Sequence, residues 1–264
     1  MMRPSQRTGE TAIRRLRNLA LFGLGALLLF PVASGVSEEK PAVSQEKKDT
    51  DKKPAVAGPG APVYKPPLRG APGGRVGGGT RGTPRDLFVL SALAPDHSGL
   101  TVQEQPTLYW FISGPTSFPV ELTVSDPRAT KPLDETRLPS PVAAGVHRVR
   151  LADHGVRLSP GVQYRWFVAV VPDPGRRSRD ILAGGTIERI DGPEGLRTQV
   201  AQASRERLPF IYAEAGLWYD ALAAVSELIE RTPDSREHRR QRAALLAQVG
   251  LPQIEDTEGD TPTR

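Results

Sequence analysis

Residues 158–171 read LSPGVQYRWFVAVV. A Pro-Gly turn feeds a run of aromatic and β-branched residues, the composition of a strand. Side chains alternate along a strand. Tyr164, Trp166, Val168 and Val170 therefore point one way, and Arg165, Phe167, Ala169 and Val171 the other. Apolar atoms on both faces predict a central strand, covered above and below, in the middle of a small β-sandwich.

Outward from this strand the pattern repeats in short segments. DLFVLSALAP, QPTLYWFI, FPVELTVSD, GVHRVRLA and GGTIERI are separated by Pro, Gly, Asp and Ser, with a weaker segment LDETRL between the third and fourth. Short strands with turn signals and no helical period predict an antiparallel sandwich over residues 86–190. In PTLYWF, Leu108, Trp110 and Ile112 alternate with Tyr109 and Phe111, which predicts a second two-faced strand. LSPGVQYRWFVAV resembles the corner between strands E and F of fibronectin type III and immunoglobulin-like domains. The resemblance implies that the Tyr164 hydroxyl bonds to upstream backbone.

Residues 191–251 turn helical. LRTQVAQAS forms a short helix, followed by RERLPFIYAEAG and GLWYDALAAVSELIERTPDS. Trp218, Ala221, Leu222, Val225, Leu228 and Ile229 recur at helical spacing as one apolar stripe. Trp218 is therefore expected in the core, and Tyr219, one position round, is expected to matter less unless it faces the sandwich. A third helix over 235–249 is expected to turn Ala243, Leu246 and Val249 inward and Arg236, Arg239, Arg240 and Arg242 mostly outward, with Gly250 ending it. Residues 211–235 resemble the second half of a tetratricopeptide repeat, carried by Gly216, Ala221 and Pro233. One unit does not make a solenoid, so an αα-hairpin packed on the sandwich or on itself is expected in place of a peptide groove. The fold class is mainly β: an immunoglobulin/fibronectin III-like β-sandwich with a C-terminal α-helical hairpin.

The N-terminal region has a different character. A basic segment with Arg3, Arg7, Arg14, Arg15 and Arg17 precedes LALFGLGALLLF and then Ala33, Ser34 and Gly35. Basic, apolar, then small is the order of a secretory signal peptide, assigned to residues 1–35. The 12-residue apolar core is shorter than the ~20 a spanning helix needs. Extension to Val36 leaves open an uncleaved anchor, which would be the chain's only membrane attachment. Residues 36–85 are charged and then rich in Pro and Gly, and are expected to be a disordered linker, with a loop packed back on the domain as the alternative for residues 69–82. Residues 252–264 are expected to be a disordered tail. Gly77, Gly79 and Gly82 match a dinucleotide fingerprint by spacing, but no strand precedes them and no helix follows.

Composition excludes several chemistries. The chain has no Cys, so it has no disulfide, thiolate metal site or thiol nucleophile. Of the net charge of +5, residues 1–34 carry five arginines against one glutamate, leaving +1 for the rest. Without that segment no general basic field remains, and nucleic acid is not expected as a partner. His97, His147, His154 and His238 lie at no metal-pair spacing. Asp153 beside His154 is a dyad only on paper, and no G-x-S-x-G occurs. No catalytic, metal or cofactor-binding residue is assigned. The most polar turn is PDPGRRSRD, residues 172–180. Arg176, Arg177, Arg179 and Asp180 are its candidate contacts for an anionic ligand or partner, since guanidinium forks suit carboxylate and phosphate.

Taken whole, residues 69–251 resemble the bacterial domain-of-unknown-function family numbered 928. The carrying stretches are RGAPGGRVGGGTRG, PTLYWF, YRWFVAVVPDPGRRSRD and YAEAGLWYDAL, in that order. Where that family often has Gly-Trp, this chain has Gly185 and Thr186. The resemblance implies an exported protein with a sandwich-like core, a helical C-terminus and no assigned activity. The expected function is that of a secreted, periplasmic or otherwise envelope-associated non-enzymatic binding or scaffolding protein, with an envelope protein or glycan as partner. The alternatives are a carbohydrate-binding module or an envelope glycan hydrolase.

Overall fold

The computed structural model describes residues 60–67, 74–77 and 88–251. The expected signal peptide over 1–35 and the expected tail over 252–264 lie outside them. Eight strands precede four α-helices in chain order among the described residues. The strands are β1 (Leu90–Ala92), β2 (Gly99–Thr101), β3 (Thr107–Ile112), β4 (Val120–Ser125), β5 (Asp134–Arg137), β6 (Gly145–Arg150), β7 (Gln163–Val170) and β8 (Ile181–Arg189). They form a three-stranded sheet, β1-β3-β6, and a five-stranded sheet, β2-β8-β7-β4-β5. All pairings are antiparallel except β2 on β8.

The 158–171 stretch forms β7, between β4 and β8. Tyr164, Trp166, Val168 and Val170 are all buried. The turn before it uses Gly161 at φ 70°, a conformation that glycine adopts without steric cost. The Tyr164 hydroxyl accepts a hydrogen bond from the Ser159 backbone N–H at 3.0 Å. On the outer face Phe167 lies over Gly184, where an added Cβ would stand 2.4 Å from the ring. The second two-faced strand, β3, lies in the other sheet and is buried from Leu108 to Ile112.

The helices are α1 (Leu196–Gln202), α2 (Leu208–Glu214), α3 (Trp218–Arg231) and α4 (Arg236–Gln248). They share one apolar core with both sheets, so the boundary expected near residue 190 does not separate two cores. The first turn of α3 makes the junction. Trp218 donates from Nε1 to the Leu93 carbonyl at 2.9 Å. The Tyr219 hydroxyl accepts from Trp166 Nε1 at 2.9 Å and donates to the Thr186 carbonyl at 3.1 Å. Tyr219 is thus as buried as Trp218, and the expectation that it matters less gives way to its position against the sheet. Gly99 and Gly185 make room for it: a Cβ on Gly99 would lie 2.6 Å from the Tyr219 ring. Further along α3, Glu230 pairs with Arg148 of β6, and Tyr109 of β3 faces Ser226, Glu227 and Glu230. On α4, Arg242 is buried rather than outward, because it shares the packed turn with Gln241, Leu245 and Leu246.

The expectation of a disordered linker over 36–85 fails at two described segments. Residues 60–67 form a strap across α2, α3 and α4. Tyr64 is buried edge-on against Trp218, with ring centroids 5.1 Å apart. Its N–H donates to Gln248 Oε1 at 2.8 Å, and Gln248 Nε2 donates to the Pro62 carbonyl at 2.9 Å. Lys65 N–H donates to the Ala213 carbonyl at 3.0 Å. Gly216, at φ 75°, lets the strap approach, since a Cβ there would stand 2.8 Å from the Lys65 carbonyl oxygen. Farther on, Val76 bridges Gly184 antiparallel on the edge of β8, ahead of the point where β2 begins to pair at Ile187. Arg75 Nη1 reaches the Ala94 and Val249 carbonyls at 3.2 and 3.1 Å. One Tyr in a Pro/Gly stretch has no periodicity, so composition alone does not reveal that it is packed.

Candidate functional site

The arginine loop lies in the connection between β7 and β8. Arg177 is exposed but paired on both sides: Nη2 donates to Glu121 Oε2 of β4 at 2.6 Å, and Nε lies 2.8 Å from Asp180 Oδ2. Bonding by Arg177 holds the Glu121 carboxyl below the usual carboxylate range. The Asp180 side chain is buried beneath this pair. Arg176 stands 3.7 Å from Asp173 and is otherwise exposed, and the exposed Arg179 side chain has no partner among the described residues. Of the four candidate residues, two are therefore tied into the loop and two are free to meet solvent.

The histidines are separated. His154 Nδ1 lies 3.3 Å from Asp134 Oδ2, not against its neighbour Asp153. The nearby Thr136 hydroxyl donates to Asp134 rather than to His154, at 2.9 Å. That order does not activate a hydroxyl nucleophile. His147 stacks on Trp110 at 4.6 Å, and His97 Nε2 meets the Tyr64 hydroxyl at 2.9 Å. No group of three or more His, Asp or Glu suited to a metal occurs among the described residues.

A cleft that sequence reasoning did not identify lies where α3 meets the end of β2. Trp218, Tyr219 and Asp220 are consecutive, about 100° apart round the helix. All three dock on backbone in or just beyond the strands, to Leu93 after β1, Thr186 in β8 and Val102 after β2 respectively. The helix's first turn is thereby enclosed, and an acidic residue that would ordinarily face solvent is 4% exposed. Asp220 Oδ2 accepts from the Val102 N–H at 3.2 Å. The Thr101 and Gln103 side chains also stabilise the carboxylate, while Oδ1, which has almost no accessible surface, meets no hydrogen bond of full geometry. Asp220 lines a cavity of about 290 Å³ with Gln103, Gln105, Tyr212, Ala223 and Glu227. Gln103 and Tyr212 also line a neighbouring cavity of about 490 Å³ beneath the turn from β8 into α1. Pro193, Glu194 and Leu196 carry the depression on past α2. The result is one trough with a buried carboxyl in its wall.

Burial pushes the Asp220 carboxyl up to about 6, opposed by Thr101, the Val102 N–H, Gln103 and its own backbone N–H. Asp220 lies in the first turn of α3, where the helix dipole also favours the anion, so desolvation is the larger effect. The folded state binds the Asp220 proton more tightly than the unfolded chain. Stability from this group is present below pH ~4 and is lost as pH rises through ~6. From the model value of 3.8 to about 6, the difference corresponds to about 3 kcal/mol at 1.36 kcal/mol per pH unit. Asp220→Asn should therefore be more stable than the parent above pH 6, by about 2–3 kcal/mol, and the gap should close toward pH 4. Urea unfolding at pH 4, 6 and 8 checks this; a variant less stable at pH 8 would show that the carboxylate is well satisfied.

The only hint in the sequence is an acidic residue inside the stripe that begins at Trp218 and continues at Ala221 and Leu222. The partner that encloses it, β2, is three residues long and leaves no periodicity to detect.

The family described as Domain of Unknown Function (DUF928) matches residues 76–258, and the chain belongs to that family. No curated protein matches the chain.

Proposed function

We propose that this DUF928 member is an exported, non-enzymatic binding or scaffolding protein of the bacterial cell envelope, and that it holds its partner in the trough beside α2 and α3. The observation that carries the site is Asp220, a buried carboxyl in the wall of a cavity. A group that weakens the fold at neutral pH while lining a cleft has the character of a functional residue. Export is supported by the basic, apolar and small-residue order at the N-terminus. An immunoglobulin/fibronectin III-like sandwich is supported by the sheet orders β1-β3-β6 and β5-β4-β7-β8, by β2 running parallel on β8, and by the Tyr164–Ser159 bond.

The choice of partner rests on surface character. Among the described residues the exposed large hydrophobics are Val63, Val76, Leu133 and Leu182, none aromatic, which favours protein contact over stacking on a glycan. An envelope glycan hydrolase is the second reading, favoured by the raised Asp220 carboxyl beside Glu227 in one cavity. Seven residues of helix separate the two backbones by about 10 Å along the axis, so the ~5–9.5 Å of a glycosidase carboxyl pair would require the two side chains to lean toward each other.

Photo-cross-linking in the native envelope tests the site. Cross-linkers placed at Gln103 and at Glu194 should yield one shared adduct by mass spectrometry, and Asp220→Asn should remove it. An adduct from Arg179 alone, or one indifferent to Asp220→Asn, would move the site to the arginine loop.

A further inference from the structure

Tyr212 of α2 stands at the waist of the trough. It lines both the cavity of about 290 Å³ and its neighbour of about 490 Å³, and among the described residues Gln103 alone does the same. Tyr212 is 9% exposed. A tyrosine so buried ordinarily finds a partner for its hydroxyl. Tyr64 meets His97, Tyr164 accepts from the Ser159 N–H, and Tyr219 bonds Trp166 and the Thr186 carbonyl. The Tyr212 hydroxyl has no such bond among the described residues, and unlike Asp220 Oδ1 it is not sealed from solvent. Its open side is the trough. Burial first, then the charges of Asp220 and Glu227, push the hydroxyl up, so it keeps its proton at neutral pH and has it to donate.

Gln103 supplies the complementary group. Its side chain stabilises the Asp220 carboxylate, which only its NH2 can do, and its carbonyl oxygen is left to accept. A hydroxyl that donates beside a carbonyl that accepts matches the C=O and N–H of one peptide unit. Beyond the waist, Val102, Ile190, Leu196 and Val200 give the larger cavity an apolar lining. Its charged residues are balanced, Arg189 and Arg197 against Asp191 and Glu194, so no net charge selects an ion. The depressions form a row: the first two share Gln103 and Tyr212, the last two share Pro193, Glu194 and Leu196, and the outer two share no residue. A row suits an extended chain better than a compact ligand. We propose that the trough holds an extended, uncharged stretch of a protein partner, with one peptide unit at the waist between Tyr212 and Gln103 and the adjoining aliphatic side chain in the larger cavity. The inference rests on the trough being the partner site.

The test follows the backbone amide resonances of Gln103 and Leu196 in the full chain at pH 7.5 as small probes are added. N-acetyl-leucine N-methylamide should shift both saturably. N-acetyl-glycine N-methylamide, which lacks the aliphatic side chain, and 3-methyl-1-butanol, which lacks the peptide unit, should each bind several-fold more weakly. Tyr212→Phe should weaken the leucine probe about three- to tenfold, the value of one hydrogen bond. The same variant should unfold in urea at the parent's midpoint, because the hydroxyl it removes has no partner within the fold. An unchanged response in Tyr212→Phe, or no response to the leucine probe, would overturn the inference. N-acetylglucosamine binding as tightly as the leucine probe would also overturn it, by giving the waist to the acetamido group of a glycan. If it is overturned while the Gln103 and Glu194 adducts form and still need Asp220, the trough stands and the peptide assignment alone fails. If those adducts do not form, both fail.

Discussion

Trp218→Ala should destabilise the chain by about 3–5 kcal/mol, the range for truncating a fully buried aromatic. Trp218 has no exposed surface, packs edge-on against Tyr64 and donates to the Leu93 carbonyl. Its loss would open a cavity where the strap, α3 and the strand end after β1 meet. Tyr219→Phe removes a single oxygen, yet should cost about 2–3 kcal/mol, because the Trp166 indole N–H is left buried without its acceptor. The two together locate the junction between helices and sheets. Urea unfolding monitored by fluorescence measures both, with Trp110 and Trp166 as reporters when Trp218 is absent. A neutral Trp218→Ala would mean that α3 does not close the sheet end, and the enclosure of Asp220 would go with it.

Removal of the strap is the second large effect. A chain beginning at Asp86 should be less stable than one beginning at Ser37 by about 3 kcal/mol or more, roughly the truncation of one mostly buried aromatic. Composition predicts no loss, since Pro, Gly and charge dominate residues 36–85. The structure assigns the loss to Tyr64, which contributes burial against Trp218, two backbone ties with its neighbours to α2 and α4, and the bond to His97. Tyr64→Ala in the longer chain should reproduce most of it. Tyr64→Phe, keeping the ring and losing the hydroxyl, should cost only about 1 kcal/mol. A third chain, beginning at Gly70, keeps Arg75 and Val76 without the strap and measures their share separately. Equal urea midpoints for the chains from Asp86 and Ser37 would show that the strap contributes nothing.

The strands were legible where their pattern was long enough to show a period. The segments later seen as β1 and β3 to β8 stand out because alternation, β-branched residues and turn residues agree. β2 is three residues with one apolar side chain, GLT, and exists through its parallel pairing with the end of β8. Such pairing depends on distant chain and has no local signature. Tyr219 and Asp220 were illegible for a related reason. A helical stripe shows which face is apolar, but the first turn of α3 is covered on more than that face, by backbone of β8 and of the segment after β2. The arginine loop was conspicuous because charge is conspicuous, and Arg177 shows how such residues satisfy one another: its partner Glu121 is on β4, more than fifty positions away. The candidate site thus stood in the sequence only as an acidic residue beside a core aromatic pair.

The titration of the Asp220 carboxyl carbon, followed by ¹³C NMR in the folded chain, bears most directly on the buried carboxyl from which the site is argued. The midpoint should fall at about 6, and the Val102 amide proton should shift with the same midpoint. A midpoint near the ordinary aspartate value of about 4 would contradict the account, because a carboxyl that titrates there is solvated or fully bonded and costs the fold nothing at neutral pH.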